Sequence, residues 1–276
     1  MNPLQRATLD HIPLLWCEPE PNRASSSNAG KADGNRVLDG RKLVIWLPGF
    51  GSAKESVEAQ LRDLAAAGFV ALAFDPYQHG ERSVDSQGAL GTRVVGNIRR
   101  HFWPILAHTA EETTRVIDWA ISELGVAQQV GMGGISMGGD ISVAAAGADK
   151  RITAVAACIA TPDWLRPGSC EPPGQPDSYA QLLYERRNPL TNLELYAHGP
   201  AITFQCGVMD RQVPPDGAAR FIQALAQLPI YQRAPHKLDV CLHADTAHVF
   251  TDAMWRNAQR WFIEYSTDDG QNETSQ

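Results

Sequence analysis

A serine sits between two glycines, each two residues away, in Gly134-Ile135-Ser136-Met137-Gly138. An apolar approach over 129–135 leads into it, and a run of small residues follows (Ile141, Val143, Ala144, Ala145, Ala146). This is the pattern of a strand that turns sharply into a helix. The turn is so tight that bulky side chains at 134 and 138 would collide, and glycine removes the collision. The turn lifts the Ser136 hydroxyl above a sheet. It also sets the backbone N–H of Met137 at a helix N-terminus, where it can stabilise an oxyanion. Gly131 and Gly133 also begin a G-x-G, but position 136, where a dinucleotide-binding loop has its third glycine, is serine; that reading is set aside.

A serine hydroxyl is a poor nucleophile near neutral pH. It needs an imidazole to take its proton and a carboxylate to orient that imidazole. Two later segments supply these groups. Asp210 follows the apolar run 201–206, in Gly207-Val208-Met209-Asp210-Arg211-Gln212-Val213-Pro214. His248 follows the run 238–242, in His243-Ala244-Asp245-Thr246-Ala247-His248-Val249-Phe250. Asp216, Asp239 and Asp245 compete with Asp210, and His243 competes with His248. His79 reads as a turn histidine bonded to nearby backbone, with a second base as the alternative. Glu81 and Arg82 read as a local ion pair or as charges at a substrate rim. His11, His101 and His108 have no partner at metal-ligand spacing, and His243 and His248 stand five apart around a non-helical turn, so no metal site and no cofactor is expected.

The elements that must position these residues alternate between short apolar runs and amphipathic stretches. Strands are expected over 42–47, 69–74, 129–135, 152–159, 201–206 and 238–242, after an extended edge segment over 7–16. Helices are expected from Ser52 to Gly68, over 108–124, 137–147, 215–228 and 248–265. Thr109 as N-cap and Glu112 three residues on read as a capping box for the second of these. Residues 78–100 show no clear periodicity. The stretch 161–199 is Pro-rich at first, then helical over 179–187, and reads as a possible small lid. Glu18 to Gly40 is polar and rich in Pro, Asn, Ser and Gly, a connector; the tail 266–276 reads as disordered. Such alternation predicts an α/β doubly wound sheet whose ligand lies beyond the carboxyl ends of the strands.

Composition excludes several classes. The 276 residues carry a formal charge of −7 and no long Lys/Arg cluster, which argues against a nucleic-acid surface. No apolar run approaches membrane-spanning length, and no leader pattern opens the chain. The five cysteines are odd in number and lack a C-x-x-C pair; Cys158, Cys206 and Cys241 lie in strand-like runs, as expected of a cytoplasmic protein.

Together, Leu47-Pro48-Gly49-Phe50-Gly51-Ser52, Gly134-Ile135-Ser136-Met137-Gly138, the Asp210 segment and Ala247-His248-Val249-Phe250 resemble the α/β-hydrolases, in which the nucleophile, acid and histidine come in this chain order. Phe74-Asp75-Pro76-Tyr77-Gln78-His79-Gly80-Glu81-Arg82-Ser83 is similar to a segment of the dienelactone hydrolase and prolyl-oligopeptidase-related esterases. The resemblance covers roughly 41–265. It implies a mostly parallel twisted sheet of about eight strands with helices on both faces, and a serine esterase acting on a small-molecule ester. Many relatives carry His-Gly where this chain has Pro48-Gly49; the second oxyanion donor it implies is the Phe50 N–H. Trp103 and Trp164 fall where the pocket mouth is expected and either bind substrate or pack the core. The same three residues would also suit a thioesterase, an amidase or peptidase, or a carbon–carbon bond hydrolase; a ligand-binding protein without turnover is the remaining alternative.

Overall fold

The computed structural model describes residues 2–20 and 41–266. The rest of the expected connector, from position 21, and of the expected tail, from position 267, lie outside the described residues. Eight strands form one sheet in the order β1-β2-β4-β3-β5-β6-β7-β8. These are β1 (Leu4–Leu9), β2 (Ile12–Cys17), β3 (Arg41–Leu47), β4 (Val70–Phe74), β5 (Val126–Ile135), β6 (Ile152–Cys158), β7 (Ala201–Gly207) and β8 (Leu238–His243). From β4 to β8 all neighbours are parallel.

The expected edge segment over 7–16 is a hairpin instead. It turns at Asp10, and β2 pairs antiparallel with both β1 and β4. Its second strand is buried at every position, because β1 takes the sheet edge and the two faces of β2 are covered. The parallel strands β4 and β7 are likewise buried throughout, which is why they read as continuous apolar runs rather than alternating ones.

Helices cover both faces. One face holds α1 (Glu58–Ala66) and α8 (Asp252–Tyr265), whose Leu61, Leu64, Met254 and Phe262 pack with Trp46 and Ala156. The other holds α2 (Gln87–Gly96), α3 (Ile98–Leu124), α4 (Met137–Ala148), α5 (Ser178–Arg187), α6 (Asp216–Leu225) and α7 (Pro229–Arg233).

Helix α3 corrects the sequence reading. It begins ten residues before the expected start, with Asn97 as N-cap accepting from the Arg100 N–H at 3.1 Å, and it carries Pro104 in its interior. Proline lacks the amide that would bond back to residue 100 and normally ends a helix; here the buried face of Ile98, Phe102, Ile105 and Leu106 outweighs that loss. Thr109 is therefore no cap. Its hydroxyl donates to the Ile105 carbonyl (2.7 Å) and accepts from the Tyr77 N–H (3.0 Å). The unperiodic stretch before it contains α2, capped by Ser86.

Candidate active site

Ser136 lies between β5 and α4 with φ 53° and ψ −115°. A side chain adopts this region only under constraint. The constraint is backbone: the Ser136 N–H donates to the Cys158 carbonyl at 2.8 Å, and the Asp140 N–H donates to the Ser136 carbonyl at 3.0 Å. A side chain at Gly134 would strike the Gly138 backbone and the Leu47 carbonyl, and one at Gly138 would strike Leu47 and Pro48. The two glycines thus serve a close approach between the turn and the end of β3.

Three side chains from three strand ends converge. Ser136 Oγ stands 2.9 Å from His248 Nε2, and His248 Nδ1 stands 2.7 Å from Asp210 Oδ2. A carboxylate only accepts, so Nδ1 carries the proton and Nε2 is left to accept from the serine. The other Asp210 oxygen accepts the N–H groups of Gln212 (2.9 Å) and Val213 (2.8 Å), and the residue is 4% exposed. Those amides hold the carboxylate in place.

The loops that bring acid and imidazole together are tied to each other. The Val208 N–H donates to the His243 carbonyl and the Met209 N–H to the Thr246 carbonyl. His248 lies in the loop ahead of α8 rather than on the helix expected from it; Thr251 is the N-cap, and its hydroxyl accepts from the Met254 N–H. The competing residues are engaged elsewhere. His243 Nε2 bonds Gln205 Oε1 at 3.0 Å, Asp239 accepts from Thr203 and Asp216 from Arg220, while Asp245 holds a turn at φ 53°.

The two amides expected to receive an oxyanion are those of Met137 and Phe50. Met137 is the first residue of α4, so its N–H has no partner within the helix. Phe50 lies on the loop after β3, where Gly49 packs beside the Ser136 Cβ. A buried ion pair missed in the sequence holds this loop. Lys54 and Asp75 are 1% and 0% exposed; Lys54 Nζ meets Asp75 Oδ2 at 3.0 Å, and the Lys54 N–H donates to Oδ1 at 2.9 Å. Burial alone would lower the Lys54 pKa, but its bonds to Glu81 and Asp75 hold it above the usual range. The sequence does not signal this pair, since neither residue type normally goes inside.

Arg82 does not pair with Glu81. It forks onto Glu112, both contacts 2.7 Å, while Glu81 meets Lys54 at 2.5 Å. His79 is buried, with Nδ1 at 2.9 Å from the Tyr77 carbonyl and its ring edge-on to Phe50.

A cleft opens beside Ser136, walled by Phe50, Val94, Val95, Ile98 and Phe102. Its polar end is Arg166, Glu171 and Gln212. Trp103 and Trp164 are not in its wall. Both are buried: Trp103 donates to the Trp164 carbonyl at 2.9 Å and stacks on Tyr184 of α5. Phe102, one residue and about 100° around the helix from Trp103, faces the cleft instead. Arg166 reaches the cleft from segment 161–171. It binds Asp140 Oδ2 (2.6 Å), which is fully buried one helical turn after Ser136, and Glu171 Oε2 (3.0 Å). Burial pushes the Asp140 carboxyl above its ordinary range while Arg166 pulls it back. The charge of Asp140 inside a small-residue helix was the one sequence signal for this pair. Segment 161–171 is also stitched to the acid loop, by the Cys170 N–H on the Arg211 carbonyl and the Ser169 hydroxyl on the Gln212 carbonyl.

Residues 107–265, more than half of the chain, match the model of the prolyl oligopeptidase family. The chain belongs to that family. It is a serine hydrolase of the α/β-hydrolase fold. Among solved structures it resembles TT1662 from Thermus thermophilus, at 21% identity and TM-score 0.72, over 97% of this chain and 99% of the other. A Klebsiella pneumoniae protein provisionally described as a dienelactone hydrolase is 14% identical, TM-score 0.63, over 97% of this chain and 98% of the other. A puromycin-hydrolyzing peptidase of Mycobacterium tuberculosis is 16% identical, TM-score 0.68, over 96% of this chain; the chain spans only 40% of that peptidase. No curated protein matches the chain significantly. Among the described residues, no helix is long and apolar enough to cross a membrane.

Proposed function

We propose that this family member is an esterase that cleaves a small-molecule carboxylic ester through an acyl-enzyme on Ser136. The observation that carries the reading is the relay Ser136 Oγ–His248 Nε2–Asp210, at 2.9 and 2.7 Å. His248 Nε2 takes the hydroxyl proton as Ser136 Oγ bonds to the carbonyl carbon. The carbonyl electron pair moves to oxygen, where the N–H groups of Met137 and Phe50 receive it. Asp210 holds the imidazolium. The intermediate then collapses, the carbon–oxygen ester bond breaks, and His248 returns its proton to the leaving alcohol. Water, deprotonated by the same imidazole, attacks the acyl-enzyme and releases the acid.

What supports ester over peptide chemistry is the small cleft and the likeness to the Klebsiella protein provisionally described as a dienelactone hydrolase. Peptide or amide cleavage is the second reading, favoured by the family and by that peptidase. All five cysteines are unpaired, which suits the reducing cytoplasm.

Ser136→Ala is expected to keep the fold and lower kcat on p-nitrophenyl butyrate by about 10⁴-fold or more, the scale at which serine hydrolases lose rate without their nucleophile. Undiminished turnover in the variant would overturn the assignment. Matched ester, thioester and amide substrates with the same acyl group decide between the two readings: the ester should exceed the amide in kcat/KM by orders of magnitude.

A further inference from the structure

We propose that the cleft beside Ser136 is the acyl subsite and that it favours short, uncharged aliphatic acyl groups, up to about four carbons; the inference rests on the esterase reading above. The side on which each half of the substrate lies follows from the relay. The leaving alcohol must receive its proton from His248 Nε2, so it lies on the imidazole side of Ser136. The cleft is walled by Ser136 and Phe50 but not by His248, and so it takes the part that remains on the serine.

Its length is set by Phe102. This ring is 4% exposed and sits edge-on to Phe50 at 5.7 Å, with the Arg166 guanidinium 4.9 Å from its centre. The cleft offers about 100 Å³ and is open to solvent along Val95. A cavity of about 150 Å³ holds one benzene, and pockets for drug-sized ligands run to roughly 300–1,000 Å³. A long acyl tail therefore outruns the cleft: beyond Phe102 it gains no further buried apolar contact and must leave by the open side.

The charge balance of the far end sets the second preference. Arg166 would attract an acyl carboxylate if it were free, but its two terminal nitrogens are held by Asp140 at 2.6 Å and Glu171 at 3.0 Å. Glu171 in turn accepts from Gln212 Nε2 at 2.9 Å. One cation faces two carboxylates, so a third carboxylate on the substrate would meet Glu171 with no free positive partner among the residues lining the cleft.

The test is a series of p-nitrophenyl esters that share one leaving group. In the parent enzyme, kcat/KM should be greatest between acetyl and butyryl and at least tenfold lower for octanoyl. The hemisuccinyl ester should fall at least tenfold below butyryl. Phe102→Ala should move the optimum to hexanoyl or longer. Val95→Trp alters a residue that is 54% exposed, so the fold is retained if the first variant fails to fold; it should depress butyryl relative to acetyl severalfold. Octanoyl turnover equal to butyryl in the parent, or an unchanged chain-length profile in a folded variant, overturns the acyl subsite while leaving Ser136-dependent esterase activity intact. Absence of any Ser136-dependent turnover overturns the esterase reading itself.

Discussion

His79 has its ring packed against Phe50 and one nitrogen, Nε2, without a partner in a site that is 2% exposed. Burial pushes its pKa below the usual histidine range; the Tyr77 carbonyl and Asp75 only partly counter this. The unfolded chain binds a proton at this position below about pH 6.5, and the folded chain refuses it. Stability is therefore lost as pH falls below that value, by at most about 1.4 kcal/mol per pH unit for one proton. In His79→Gln the contribution disappears. Urea unfolding of parent and variant at pH 7.5 and 5.5 should show the steeper loss in the parent. His101, His198 and His243 have the same direction of shift and stay in both proteins, so the difference isolates His79. Parallel pH dependence in the two would mean that His79 takes a proton in the fold.

At the scale of elements, the loop after β3 is held by the buried Lys54–Asp75 pair, which anchors it to the turn after β4. Lys54→Met leaves a fully buried carboxylate without its cation and should cost about 3–5 kcal/mol. Arg6→Ala removes a pair with Glu55 whose partners are 56% and 37% exposed, and solvent screening limits that loss to about 0–1 kcal/mol. Equilibrium unfolding in urea separates the two predictions; equal losses would mean that the buried pair is compensated by its neighbours. With the Phe50 amide as the second oxyanion donor proposed above, Lys54→Met should also lower kcat more than it raises KM, because such a donor acts only as charge develops on the carbonyl oxygen.

At the scale of the whole molecule, Trp46 on β3 joins the sheet to α8. Its ring meets Trp255 at 4.9 Å, Phe250 at 6.1 Å and Phe262 at 6.2 Å. It is fully buried, and Trp46→Ala should cost about 3–5 kcal/mol through lost transfer energy and the cavity left behind. Phe250 is two residues from His248, so this packing also seats the imidazole loop. The variant should lose activity on esters at temperatures where its circular dichroism is still native; retained activity would show that the loop is seated by the acid loop alone.

Much of this arrangement was legible in the chain. The continuous apolar runs of β3 through β7 marked buried parallel strands, since both faces of such a sheet are covered. Gly134 and Gly138 marked the turn, and the segments around Asp210 and His248 marked two further strand ends. The start of α3 was not legible, because Pro104 is a local stop signal and the packing that overrides it comes from distant residues. Nor were Lys54, Asp75, Asp140 and Arg166, charged side chains whose burial makes sense only once each has its partner. Of the two readings open for Trp103 and Trp164, substrate wall or core packing, the fold shows core packing, and the neighbouring Phe102 lines the cleft; which face of a helix meets the cleft depends on how the helix is docked. Local rules, sterics at a turn and periodicity along a run, act within a few residues and so can be read from the chain alone; they determined the order of strands and helices and the residue types at their ends. Distances of 2.9 and 2.7 Å between residues 136, 248 and 210, which of His248 and His243 stands beside Ser136, and the shape of the cleft depend on contacts between segments far apart in sequence, and only the folded chain decided them.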